Sequence, residues 1–147
     1  MNIDALRDTL KIDEGVKYEI YNDHLGYPTF GIGHLVVESD QEHGKPVGTP
    51  VSEDRVNLVF EKDVAIMIDE AKKIFPNLDQ LPEEAKQVIV NMTFNMGRPR
   101  LSKFKKFIAG VNAGDWNKAA VEMMDSRWAK QVGARAERLR DRIKALA

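Results

Sequence analysis

Glu14, Asp23 and Thr29 follow one another in the spacing E-x8-D-x5-T and lead straight into a glycine-punctuated run, Thr29-Phe30-Gly31-Ile32-Gly33-His34. Two carboxylates and a hydroxyl are what hydrolysis of a glycosidic bond requires. One acid protonates the leaving oxygen, while the other handles water or the cation that develops on the sugar. Taken singly, each acid reads as an ordinary solvated side chain; their joint spacing with Thr29 and the glycines makes them a candidate site. His24, His34 and His43 lack metal-ligand spacing and the chain has no cysteine. No metal, disulfide or other cofactor is therefore expected.

Several elements must position these groups. Ile3, Leu6 and Leu10 recur at helical spacing behind Asn2, and Gly15 is placed to stop that helix at Glu14. A carboxyl at a helix C-terminus meets the negative end of the macrodipole, which favours the protonated form that a general acid needs. Val16, Tyr18 and Ile20 alternate with Lys17, Glu19 and Tyr21, which reads as a strand, with Asn22-Asp23-His24-Leu25-Gly26 as its turn. Tyr27 to Val37 reads as the returning strand of a hairpin. Gly31 and Gly33 inside it forfeit side-chain packing, which suits close approach by another backbone or a ligand.

Beyond a polar stretch from Glu38 to Pro50, Ser52 caps a long helix whose apolar stripe runs from Val56 to Phe75 before Pro76. Its length is about 35 Å at the usual rise per residue. Further helices are expected from Pro82 to Gly97, Ser102 to Val111, Asp115 to Asp125 and Ala134 to Leu146. Phe94, Phe104, Phe107, Trp116 and Trp128 lie at helical spacing and read first as core.

The 147 residues suffice for one domain, or for two small lobes sharing a linker. No apolar run approaches the roughly 20 residues of a membrane span, and the first residues lack the basic and apolar regions of an export signal. Residues 1–97 carry 9 basic and 18 acidic side chains, whereas residues 98–147 carry 13 and 5. Such a basic third attracts polyanions, including nucleic acid, anionic membrane surfaces and acidic wall polymers. The row Arg135, Arg138, Arg140, Arg142 and Lys144 reads as a solvated helix face, since no nucleic-acid recognition motif accompanies it.

Ile12-Asp13-Glu14-Gly15, Tyr21, Asp23, Gly26-Tyr27, Thr29 and Gly31-Ile32-Gly33-His34-Leu35 resemble the phage lysozymes of the T-even type, glycoside hydrolase family 24 muramidases. The similarity continues through Phe60 and Asp63, Asn91-Met92-Thr93-Phe94-Asn95-Met96-Gly97, Trp116, Ala119-Ala120 and Ser126-Arg127-Trp128, and so covers most of the chain. Asp23 to Thr29 looks more like the baseplate-spike branch of that family.

The resemblance implies an α+β, lysozyme-like fold: a small N-terminal lobe with a β-hairpin sheet over about 12–60, and a connecting helix over about 52–75. A helical C-terminal lobe over about 75–147 would include the N-terminal helix, with the glycan bound in the cleft between lobes. It implies hydrolysis of the β-1,4 bond between N-acetylmuramic acid and N-acetylglucosamine in peptidoglycan, with inversion. Glu14 would be the general acid, Asp23 the second carboxylate, and Thr29 the group that helps position water.

Leu35, Phe94 and Arg135 match cleft-lining positions, with Arg135 facing the catalytic glutamate and favouring its ionised form. Phe107 and Glu122 stand where the family offers a serine and an asparagine to the substrate, which implies a more apolar cleft. Asp63 interrupts the apolar stripe of the long helix, and His34 is its expected structural partner. About ten residues of the family pattern are missing between Val37 and Ser52. The expected protein is a monomeric endolysin, made in the host cytoplasm and acting on the wall after holin-type release or from a virion, without nucleic-acid binding or membrane insertion. The rival reading is a catalytically silent wall-binding or tail-structural domain.

Overall fold

Gly15, at φ 78°, ends the first helix where the sequence asks it to. In the computed structural model, which describes residues 1–147, α1 spans Ile3–Glu14 and buries Leu6 and Leu10 completely. Three antiparallel strands follow in the order β1 (Lys17–Asn22), β2 (Pro28–Gly31) and β3 (His34–Leu35). The expected single hairpin is thus corrected: the returning segment breaks at Ile32-Gly33 into two short strands. Gly31 and Gly33 adopt φ of 64° and 62°, a left-handed conformation that glycine reaches without strain, and the chain reverses there. The period-2 pattern of Phe30 and Ile32 disguises that turn as one continuous strand.

The polar stretch after β3 forms turns and returns along β1, with a bridge between Glu19 and Pro50 and backbone bonds from Ile20 N–H to Thr49 at 2.9 Å and from Gly48 N–H to Ile20 at 2.8 Å. Helix α2 spans Glu53–Ile74, and Ser52 caps it by accepting the Arg55 amide N–H at 3.1 Å. Then come a 3-10 turn at Leu78–Gln80, α3 (Glu83–Met96), α4 (Arg98–Leu101), α5 (Lys105–Asn112), α6 (Trp116–Met124), α7 (Arg127–Val132) and α8 (Ala134–Lys144). The helix expected from Ser102 begins only at Lys105, because Pro99 opens the separate short α4. Asp115 and Ser126 cap α6 and α7 by accepting the Lys118 and Ala129 amides. No helix is long and apolar enough to cross a membrane.

The chain divides into two compact units, Ile3–Ile66 and Met67–Ala147, the latter joined by Met1–Asn2. In the first, Ile20, Phe30, Ile32, Val56, Val59 and Phe60 are buried together with Leu6 and Leu10 of α1. Helix α1 belongs to this unit. The Arg7 guanidinium bonds Glu61 at 3.3 Å and lies 5.4 Å from the Phe60 ring centre, tying α1 to the first half of α2. In the helical unit, α3 is buried continuously from Gln87 to Thr93, as a helix surrounded by others must be. Gly110 of α5 lets α6 approach so closely that an added Cβ would meet the Ala119 amide nitrogen at 2.9 Å.

Candidate active site

Glu14 is the last residue of α1, and the β2–β3 turn passes directly against it. A Cβ at Gly33 would stand 3.4 Å from Glu14 Cβ and 3.5 Å from its Oε2. Close approach was expected from another backbone or a ligand; what stands there are side chains, Glu14 at Gly33 and Val56 at Gly31, where a Cβ would lie 3.1 Å from Cγ1.

Asp23 organises the turn between β1 and β2. Its Oδ1 accepts the Leu25 and Tyr27 amides, each at 2.9 Å, while its backbone N–H donates to the Tyr27 carbonyl at 2.9 Å. The carboxylate is thereby fixed through one oxygen, and Oδ2 takes none of the turn's hydrogen bonds. Thr29 lies opposite Tyr21 across the sheet, buried to 4% exposure, with its hydroxyl donating to the Tyr27 carbonyl at 2.9 Å.

Tyr21 connects these groups. Its phenol is pushed above the ordinary value by burial, then by the negative charges of Glu14 and Asp23. Both carboxylates thus act on one side chain of β1, whose ring also lies 4.3 Å from the Lys17 ammonium. Sequence reasoning matched Tyr21 to the family pattern but gave it no place in the site; its position opposite Thr29 and two residues before Asp23 was the available signal.

His34 stands between two carboxylates. Nδ1 lies 2.7 Å from Asp63 Oδ2 and Nε2 lies 2.8 Å from Asp40 Oδ2. Two acceptors flanking one ring call for two N–H donors, which is the imidazolium. Burial, the largest single influence, opposes that charge, but the bonds and charges of Asp63 and Asp40 outweigh it and raise the His34 pKa. For Asp40, burial is likewise outweighed, by the Val37 N–H, His34 and Arg55, and its pKa is lowered.

Arg55 closes the chain of charges by pairing bidentately with Glu42 at 2.9 Å on both bonds. That pairing holds Glu42 below the usual carboxylate range although only 4% of it is exposed. His34, Asp40, Arg55 and Asp63 line a hollow of about 450 Å³ within the sheet unit. Sequence reasoning gave Asp40, Glu42 and Arg55 no role.

The other expected substrate contacts fall on both units, Leu35 on the sheet unit and Phe94, Phe107, Glu122 and Arg135 on the helical unit. Leu35 on β3 is 48% exposed, and Phe94 on α3 is half-buried. Phe107 and the half-buried Glu122 share a hollow of about 420 Å³ in the helical unit. Phe107 is only 1% exposed and packs edge-on against Phe75 at 6.4 Å, which makes it a packing residue with almost no surface to offer a sugar. Arg135 is buried to 7% exposure on α8, and its Nε and Nη2 both donate to Asn91 Oδ1, at 3.1 and 2.9 Å.

With this geometry in view, the phage lysozyme family matches residues 11–145 of the chain. The chain is 32% identical to probable T4-type lysozyme 2 of Dictyostelium discoideum, over 93% of this chain and 92% of that protein. It is 31% identical to that organism's probable T4-type lysozyme 1 over the same shares of each. It is also 31% identical to the pre-baseplate central spike protein Gp5 of Enterobacteria phage T4, over 92% of this chain but 27% of the spike.

Proposed function

The chain belongs to the phage lysozyme family and is a glycoside hydrolase of the muramidase kind; from that premise, we propose that it cuts peptidoglycan with Glu14 and Asp23 as its two working carboxylates. The observation that supports the reading is that Glu14 stands against the β2–β3 turn at Gly33, Asp23 orders the β1–β2 turn and Thr29 lies opposite Tyr21 in the same sheet, all within one compact unit. Glu14 protonates the glycosidic oxygen between N-acetylmuramic acid and N-acetylglucosamine. Asp23, fixed through Oδ1, uses Oδ2 to hold and activate water. The Thr29 hydroxyl donates to the Tyr27 carbonyl and keeps lone pairs with which to accept from that water.

Attack by water on the face opposite the leaving group inverts the anomeric centre. This requires the two carboxyls to stand roughly 6.5–9.5 Å apart with water between them. The 147 residues act as one lysozyme domain, and the outcome is lysis of a bacterial cell. Relatives occur in an amoeba as well as in a phage spike, so the family speaks for the reaction more than for the route. We take the route to be holin-type release or carriage on a virion.

The test is clearing of purified peptidoglycan by the protein and by Glu14→Gln. Loss of a general acid lowers the rate by about 10² to 10⁴-fold, whereas undiminished clearing by the variant removes Glu14 from the role. Reaction in isotopically labelled water, with the first-formed anomer identified, decides between inversion and retention. A parent protein that binds peptidoglycan but never clears it would be a silent wall-binding domain.

A further inference from the structure

The muramidase chemistry leaves one feature of the helical unit unused, a group of cations without counter-charges. Arg7, Arg55, Arg98, Arg140 and Arg142 each pair with a carboxylate. Arg100, by contrast, donates to the neutral Gln131 Oε1 at 2.5 Å, and no carboxylate lies within ion-pair distance of Arg127, Lys103, Lys105 or Lys106. All five are exposed.

They ring two hollows that share Lys103, Phe104 and Ser126. One, of about 420 Å³, includes Lys105 and Lys106, with Glu122 and Asp125 as its acidic members. The other, of about 470 Å³, includes Arg100 and Arg127 and has no acidic side chain in its wall.

We propose that this surface, built by α4, the start of α5 and α7, docks a flexible phosphodiester polymer of the bacterial wall. The proposal rests on the cell-wall reading above. A single small anion is held by cations that converge and are desolvated; these are exposed and spread along two joined hollows, where each contact is weak and only repetition gives affinity. A phosphodiester chain presents such repeated charges at every pH, with paired oxygens that suit the arginine fork as well as the lysine point charge.

Single-stranded nucleic acid would need exposed aromatic faces for its bases. Trp128 is 1% exposed and donates its indole N–H to Asn95 Oδ1, and Phe104 is its edge-to-face partner at 6.1 Å. The aromatics of this surface are therefore committed to packing.

The experiment measures retention of the full chain on immobilised poly(glycerol phosphate) as a function of salt. The parent binds, with affinity falling as salt rises. Lys103→Gln/Lys105→Gln/Lys106→Gln lowers the log–log salt slope by about 2, at about 0.7 per lost contact to a single-stranded polyanion. Lys45→Gln/Lys86→Gln/Lys118→Gln, which removes the same charge elsewhere, keeps the parent slope. Equal losses in the two triple variants overturn the proposal, as does tighter binding of polyglutamate or of a single-stranded oligonucleotide of matched charge. Both triple variants should clear polymer-free glycan at the parent rate. If the parent fails that clearing, the muramidase reading falls while retention still decides this one.

Discussion

Replacing Asp23 by asparagine and by alanine separates its two jobs, holding a turn and carrying a charge. The turn work is done by Oδ1, which accepts the Leu25 and Tyr27 amides at 2.9 Å each. Asparagine can present an amide oxygen in the same place and keep both bonds; alanine keeps neither. At about 1 kcal/mol net per hydrogen bond, Asp23→Ala should lose about 2 kcal/mol. Asp23→Asn gives up only the charge-assisted part, about 1 kcal/mol or less. For a chain of this size each kcal/mol moves the unfolding midpoint by about 2–4 °C, so the alanine variant should melt about 4–8 °C below the parent and the asparagine variant within about 4 °C of it. Activity should not follow that order. Neither variant has a carboxylate to activate water, so both should clear peptidoglycan about 10² to 10⁴-fold more slowly. Thermal unfolding followed by circular dichroism, with clearing rates taken on the same preparations well below both midpoints, reads the two effects apart. Parent-like clearing by Asp23→Asn would refute the chemical role, and equal destabilisation in the two variants would refute the assignment of the turn bonds to Oδ1.

Other expectations concern the scaffold. His34 has a folded pKa above its unfolded value of about 6.5, so its pairing stabilises fully below that pH and is lost as pH rises through the folded value. Asp40 is depressed, so its contribution is present above about 3.8 and is lost as pH falls through its folded value. Melting temperatures taken across pH should therefore fall on both sides of a plateau, and His34→Gln should flatten the alkaline limb; an unchanged limb would remove His34 as its source. Glu42→Gln leaves Arg55 without its bidentate partner and should cost about 3 kcal/mol or more in denaturant unfolding. A loss under half that would mean solvent already shares the pair. Gly110→Ala sets a helix-propensity gain of about 1 kcal/mol against backbone overlap with Ala119, which at about 1–3 kcal/mol should win, and a raised melting point would contradict it. Adding Ala119→Gly should not rescue Gly110→Ala, because the nearest atom met is the Ala119 amide nitrogen.

What the sequence made legible was whatever had a local cause. Gly15 after Glu14, Ser52 before α2 and Pro76 beyond it are punctuation that acts within one turn of backbone, and the helix ends fall where these residues stand. The β2–β3 reversal was hidden because Phe30 and Ile32 keep strand alternation while the glycines between and beside them turn the chain. Glu42 and Arg55 are 13 positions apart, and nothing near either residue signals that one will be buried by the other. Arg135 sits in a row of arginines that reads as a wet face, yet it is buried and donates to Asn91, 44 positions away on α3. Among the candidate site residues, the placement of Glu14 at a helix end and of Asp23 in the β1–β2 turn was legible because each has a local cause. Phe107 read first as core from its helical spacing, and it is buried edge-on against Phe75, just beyond the end of α2.

The first two residues are fastened to α3 rather than to the helix they precede. Asn2 accepts from Gln87 Nε2 at 2.8 Å and donates to Glu83 at 3.2 Å, while the Met1 ammonium lies 3.9 Å from Glu83. The helical unit is thus made from both ends of the chain, and the sheet unit is an insertion within it. Everything the sheet unit needs is contiguous in sequence, whereas joining Asn2 to Gln87 closes a loop of 85 residues. Closing such a loop in an unfolded chain costs on the order of 4 kcal/mol in entropy. An N-terminal tag would then be felt at α3, more than eighty residues away in sequence, before it was felt by the helix it directly precedes.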